Sequence, residues 1–219
     1  MTTETARQSF SLNDLDRKLE RYVDFDGGTI FEAGANNGIN QSNSLYFEMY
    51  RGWRSILVEP IPKRFFECVV NRPDALVEWG ALVPPPRKGE LITLTYCNLM
   101  TVTRNSAETR AWEDDHVSRG TRHMPGEKLE DFKARGNTIS AILDKHRITH
   151  VDVMSLDIEG YEIPALQGIN WARHRPTWLL IEVRDEPAMN EYLAPYYEQV
   201  DKLSHHDFLY RVREPLVER

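Results

Sequence analysis

Cysteine is almost absent from this chain. The two in 219 residues, Cys68 and Cys97, form neither a metal-type spacing nor a disulfide framework. A cytoplasmic protein with reduced thiols is the expectation. No apolar run approaches the roughly 20 residues of a membrane-spanning helix. The opening MTTETARQ lacks the basic-then-apolar layout of a signal peptide. Excess positive charge is missing too. The formal charge of −7 argues against a general nucleic-acid binder, though not against one basic pocket. Internal repeats and low-complexity tracts are also lacking. What is there is an ordinary hydrophobic share of 41%, enough for one domain over residues 1–219 with a substantial core.

Residues 1–28 form an N-terminal extension. Ser11 and Asp14 resemble a capping box, and Phe10 and Leu15 are spaced as a hydrophobic staple. The periodicity of Leu12, Leu15, Leu19 and Tyr22–Val23 predicts an amphipathic helix that either lies over the ligand site or, the favoured placement, packs on the sheet edge. Asp26-Gly27-Gly28 turns into the first strand. Thr29 to Gly38, TIFEAGANNG, then runs from strand to glycine-bearing turn, and a helix is predicted over 39–50. Such a corner suits a nucleotide, because glycine admits positive φ and close backbone approach, and a helix start offers unpaired N–H groups.

A second buried strand, 54–60, ends in Glu59. In a βαβ unit a carboxylate at that tip lies beside the ribose of a nucleoside held at the first turn. A helix is predicted over 63–71 and a third strand over 75–83. The alternating stretch 90–97 reads as a further strand, paired as a hairpin at the sheet edge. Residues 98–137 are polar, with Arg104, Arg110, His116, Arg119, Arg122 and His123 among a similar number of acids. They read as a partly helical flap over the ligand end of the sheet.

A helix follows over 138–146, then the near-continuous apolar run 151–157 of a central parallel strand. That strand runs into Asp157, Glu159 and Glu162, three carboxylates in six residues, with Gly160 permitting a sharp exit. Unpaired burial of all three would be costly, so such a cluster points to a task. A strand over 178–183 carries Glu182 near its end. A helix is predicted over 191–203 and a final strand over 207–213. The alternation predicts an α/β sandwich with a mainly parallel central sheet and helices on both faces.

Three motifs agree: E-A-G-A-N-N-G at 32–38, V-E-P at 58–60 and S-L-D-I-E-G-Y-E at 155–162. Together they resemble a class I S-adenosylmethionine-dependent methyltransferase of the FkbM type, with its Rossmann-like sandwich. The third-strand region around Ala81 to Gly89 and the helix starting at Thr138 also fit, so the resemblance runs from about residue 29 to 185. It implies roles for particular residues. Glu32 and Gly34, with Ala35 in the same turn, would hold the methionine part of the cofactor. Asn36, Asn37 and Gly38 would shape the turn. Glu59 would take the ribose hydroxyls, with Gly80 and Ala81 near the adenine. Asp157 and Glu159 would face the methyl donor. Two departures stand out. The flap lies where members differ, and the class's terminal pair of antiparallel strands would need a very short last strand at 216–219.

Methyl transfer needs an acceptor oxygen held in line with the donor methyl and a base for its proton. Asp157 or Glu159 could be that base, as could His116 or His123 if the flap closes. Asp157, Glu159 and Glu182 are also hard oxygen ligands suited to Mg²⁺, although a metal-free reaction is favoured. The leading reading is O-methylation of a small molecule, sugar or glycan hydroxyl, with no nucleic-acid partner and an oligomeric state left open. A nicotinamide-dependent oxidoreductase is the runner-up, but G-A-N-N-G is not G-x-G-x-x-G. A non-catalytic cofactor-binding domain is the third reading.

Overall fold

The computed structural model describes residues 7–97, 101–103, 118 and 129–213. Seven strands make the main sheet: β1 (Thr29–Ala33), β2 (Arg54–Glu59), β3 (Leu76–Trp79), β8 (Val153–Leu156), β9 (Trp178–Glu182), β10 (Tyr197–Lys202) and β11 (Asp207–Val212). Their order is β10-β11-β9-β8-β1-β2-β3. β3, β2, β1, β8 and β9 run parallel, whereas β11 and β10 are antiparallel additions.

The two faces sort by the strand period of two. Phe31, Ile56, Met154, Leu179 and Ile181 bury one face against the helices Ile139–Lys145 and Glu162–Leu166. Ile30, Val153, Leu180 and Leu209 bury the other against Leu15, Leu19, Tyr46 and Phe47. Buried on both sides, the central strands carry no polar alternation, which is why they read as apolar runs.

Several local expectations are corrected. The leading helix is broken: a short 3₁₀ turn, Leu12–Asp14, precedes the helix Leu15–Glu20. Asp16, not Asp14, closes the cap, because its carboxylate accepts from Phe10 N and Ser11 N while Ser11 Oγ accepts from Asp16 N. Phe10 and Leu15 do share one apolar cluster, with Ile30 among its members. The helix expected from residue 39 begins at Leu45, because residues 42–44 turn inward instead to bind Glu32.

The third strand divides at Gly80. β3 stays in the main sheet, while β4 (Ala81–Leu82) joins β5 (Leu91–Tyr96), β6 (Val102–Thr103) and β7 (Glu130–Asn137) in a second, four-stranded sheet ordered β4-β7-β5-β6. There β5 pairs antiparallel with β7 and with β6, rather than forming a hairpin at the main sheet's edge. The end of the polar stretch is therefore strand, not helical flap. Its middle, with His116 and His123, lies outside the described residues.

The helix expected over 191–203 is the helix Glu186–Leu193 followed by β10. Pairing with β11, and the Tyr197 hydroxyl on Pro176 O at 2.7 Å, overrides the helical pattern there. The terminal antiparallel pair is thus made by 197–202 and 207–212. Residues 214–219 lie outside the described residues.

Candidate functional site

The carboxyl ends of β1, β2, β8 and β9 open onto a cavity of about 740 Å³. At its centre the chain leaves β1 at Gly34, whose φ is +82°. A Cβ there would lie 1.9 Å from Asp157 O, so no larger residue fits between β1 and β8. Gly34 N and Ala35 N both donate to Val58 O, and Gly38 N closes the turn on Ala35 O at 2.8 Å. Asn37 Oδ1 accepts from Ile39 N and Asn40 N, a local turn that asparagine supports well.

Glu59 sits at the tip of β2 with 3% of its surface exposed, and it lines the cavity. Its two oxygens accept from Asn36 N and Ile61 N, each at 2.8 Å. Burial raises its carboxyl and outweighs these two bonds, pushing it up to about 7. A carboxylate fixed by one bond per oxygen keeps lone pairs for two hydroxyls.

Glu32 is placed differently. It is buried behind the cavity and is no part of its wall. Asn43 N donates to one oxygen, and Ser42 Oγ, Ser44 Oγ and Ser44 N donate to the other. It fixes the segment that follows the glycine turn. Arg72, 1% exposed, backs the same turn by donating to Gly38 O, Ser44 Oγ and Glu48. Ala35, Asn37 and Gly38 shape the turn without lining the cavity, whereas Gly34, Asn36, Gly80 and Ala81 do line it.

Beyond Gly34 the wall turns acidic. Asp157 N donates to Ala33 O, and its side chain opens into the cavity. Oxygens of Asp157, Glu159 and Glu182 lie within 4.8 Å of one another. Enclosure by the surrounding protein and then the nearby carboxylates of Glu182 and Glu159 raise the Asp157 carboxyl well above its usual range. Glu182 is raised by burial and by Glu159. Arg184 bonds Glu159 and stands 3.7 Å from Glu182 Oε2, so one guanidinium serves two of the three acids. The oxygen trio suits a hard cation by ligand type, but a cation of the chain already stands beside it. Glu162 faces inward and folds the exit loop by accepting from Ile158 N and Gly160 N. Burial pushes its carboxyl up to about 7.

Sequence reasoning missed Arg184, Tyr161, His205 and His206, all of which line the cavity. Arg184 lies two residues past Glu182, and that signal was present. The histidines lie in the turn between β10 and β11; residues 204–206 read only as a connection to the last strand, with no local signal placing them at the cavity.

The methyltransferase FkbM domain model matches residues 32–212. This chain belongs to the FkbM methyltransferase family. The match runs from the end of β1 through β11 and so takes in every wall of the cavity except Leu12. No curated protein matches the chain. Among solved structures, a TehB-like SAM-dependent methyltransferase from Corynebacterium glutamicum is similar at 11% identity, covering 91% of this chain and 88% of that one, with a TM-score of 0.47. A methyltransferase FkbM from Methylobacillus flagellatus is similar at 17% identity and a TM-score of 0.46. The match covers 85% of this chain and 44% of that one.

Proposed function

We propose that this FkbM-family protein is an S-adenosylmethionine-dependent O-methyltransferase acting on a hydroxyl of a small molecule, sugar or glycan. One observation carries the reading. Gly34, Glu59 and Asp157 come from three neighbouring strands to a single cavity, in the order that a nucleoside, its amino-acid tail and a reacting group require. Glu59 takes the ribose hydroxyls. Gly34 and Asn36 give the backbone approach that the methionine portion needs, and Gly80 and Ala81 lie on the adenine side. The close fit of Gly34 against Asp157 O and the spare lone pairs of Glu59 support this cradle.

The cofactor, when bound, supplies an electrophilic methyl group. The protein's work is then to orient the acceptor, exclude water and receive one proton. Asp157 and Glu182 face the reacting end and hold polar groups of the acceptor beside the reacting hydroxyl. Arg184 limits the repulsion between the acids. A metal is not required for this arrangement.

Calorimetry with S-adenosylhomocysteine and with NAD tests the reading. Micromolar binding of the first and none of the second is expected. The reverse result would transfer the site to the nicotinamide chemistry, and neither ligand binding would leave no cofactor role for the cradle.

A further inference from the structure

The strand register carries the site one strand beyond the acids. Glu182 of β9 stands opposite Asp207 of β11. The turn before Asp207 brings His205 and His206 to the cavity wall, beside Asp157, Glu159, Glu182 and Arg184. His206 Nδ1 lies 2.6 Å from His205 Nε2. The other nitrogen of His206, Nε2, lies 3.5 Å from Asp207 Oδ2. Asp207 is 5% exposed and bonded by the Ser204 hydroxyl. The turn itself is pinned, because Val183 N donates to His206 O at 2.7 Å and Leu203 N to Asp207 O at 2.8 Å.

A carboxylate and two imidazoles therefore form a line from the buried to the exposed side. Two ring nitrogens 2.6 Å apart need one proton between them. The Asp207 carboxylate favours the His206 proton on Nε2, which leaves His206 Nδ1 as an acceptor. His205 then donates from Nε2 and carries its lone pair on Nδ1, on a ring that lines the cavity. This is nucleophile–base–orienter logic with an imidazole in the middle. The nearby acids are less suited to the task, since Asp157 and Glu182 crowd one another and compete for a proton already.

We propose that His205 is the general base of methyl transfer and that His206 and Asp207 are positioning residues which fix its tautomer. The proposal rests on the methyltransferase reading above. In the step, the acceptor oxygen forms its bond to the methyl carbon. The carbon–sulfur bond breaks with its electron pair left on sulfur. The acceptor's O–H proton passes to His205 Nδ1. The products are a methyl ether, a neutral thioether and a His205 imidazolium, which solvent then deprotonates.

The test needs no known acceptor. Diethyl pyrocarbonate acylates an unprotonated imidazole lone pair, and peptide mass spectrometry of the full chain reads the rate at each histidine. His205 is expected to react about tenfold faster than the exposed His150, and His206→Phe or Asp207→Asn is expected to remove that excess. Thermal melts of both variants check that they are folded, and His206→Gln, which retains an acceptor oxygen, is expected to restore part of the rate. His205 reacting no faster than His150, or a rate unchanged in folded His206→Phe, overturns the relay. Calorimetry with S-adenosylhomocysteine runs alongside on the wild type. Failure to bind there overturns the methyltransferase reading, while the acylation rates still decide the relay by themselves.

Discussion

The two halves of the cavity are built by opposite means. On the proposed cofactor side, Glu59 and the glycine turn are held almost wholly by backbone groups, with Asn36 N and Ile61 N on the carboxylate and Val58 O accepting from Gly34 and Ala35. On the proposed acceptor side, Asp157, Glu159 and Glu182 are held by one another's proximity and by Arg184. Backbone bonding makes the first half a rigid mould, insensitive to the chemistry of its neighbours. The second half is a balance of side-chain charges, where one altered group changes the protonation of the rest. Binding is therefore expected to reside in the first half and turnover in the second.

Asp157→Asn is the strongest way to break this contrast. It keeps the shape and removes the charge from the acceptor half. Turnover on an acceptor found by screening hydroxylated compounds is expected to fall by roughly 10²-fold or more through loss of acceptor positioning, with S-adenosylhomocysteine affinity nearly unchanged. Equal losses in both would merge the two halves into one.

Gly34→Ala probes the rigid half. Its Cβ would meet Asp157 O at 1.9 Å, with φ at +82°. Backbone must move, and the expected loss of unfolding free energy is about 3–4 kcal/mol, read by urea denaturation. A loss under about 1 kcal/mol would mean that β1 and β8 can part at little cost.

Glu162 sharpens the contrast through pH. Its carboxyl is raised to about 7 in the folded chain against an ordinary 4.5, chiefly by burial. The folded state thus binds this proton more tightly than the unfolded state. The stability it contributes is fully present below about pH 4.5 and is lost as pH rises through 7, by up to about 3 kcal/mol. Denaturation series at pH 5 and pH 8 should show the decline, and Glu162→Gln should make it shallower, with the part owed to Glu59 remaining. Identical slopes for wild type and variant would place the charge elsewhere.

Glu59→Ala tests the mould directly. A loss of about 1.5–3 kcal/mol in S-adenosylhomocysteine affinity is expected from removing a charge-assisted acceptor. Wild-type affinity in that variant would leave the ribose hydroxyls without their partner. The smallest effect belongs to EDTA. Because Arg184 already stands beside the acids, chelation should leave turnover and Tm unchanged. Activity abolished by EDTA and restored by Mg²⁺ would instead make the acid trio a metal site.

Much of this protein was legible before its fold was known. The parallel core strands announce themselves as apolar runs, since burial on both faces demands it, and their order with the intervening helices sets the sandwich. Glu59 and Asp157 were identifiable because each continues such a run as a carboxylate. Local spacing reaches no further than one strand and its turn. Whether Glu32 faces the cavity or turns behind it was decided by residues 42–44, which abandon the predicted helix to bind it. Whether 197–202 is helix or strand was decided by pairing with β11, a tertiary contact that no window of sequence contains. That pairing also creates the turn carrying His205 and His206. The residues of the site were written into the chain. Their meeting at one cavity belongs to the tertiary structure, because hydrogen bonds between strands distant in sequence set which side chains come within reach of each other.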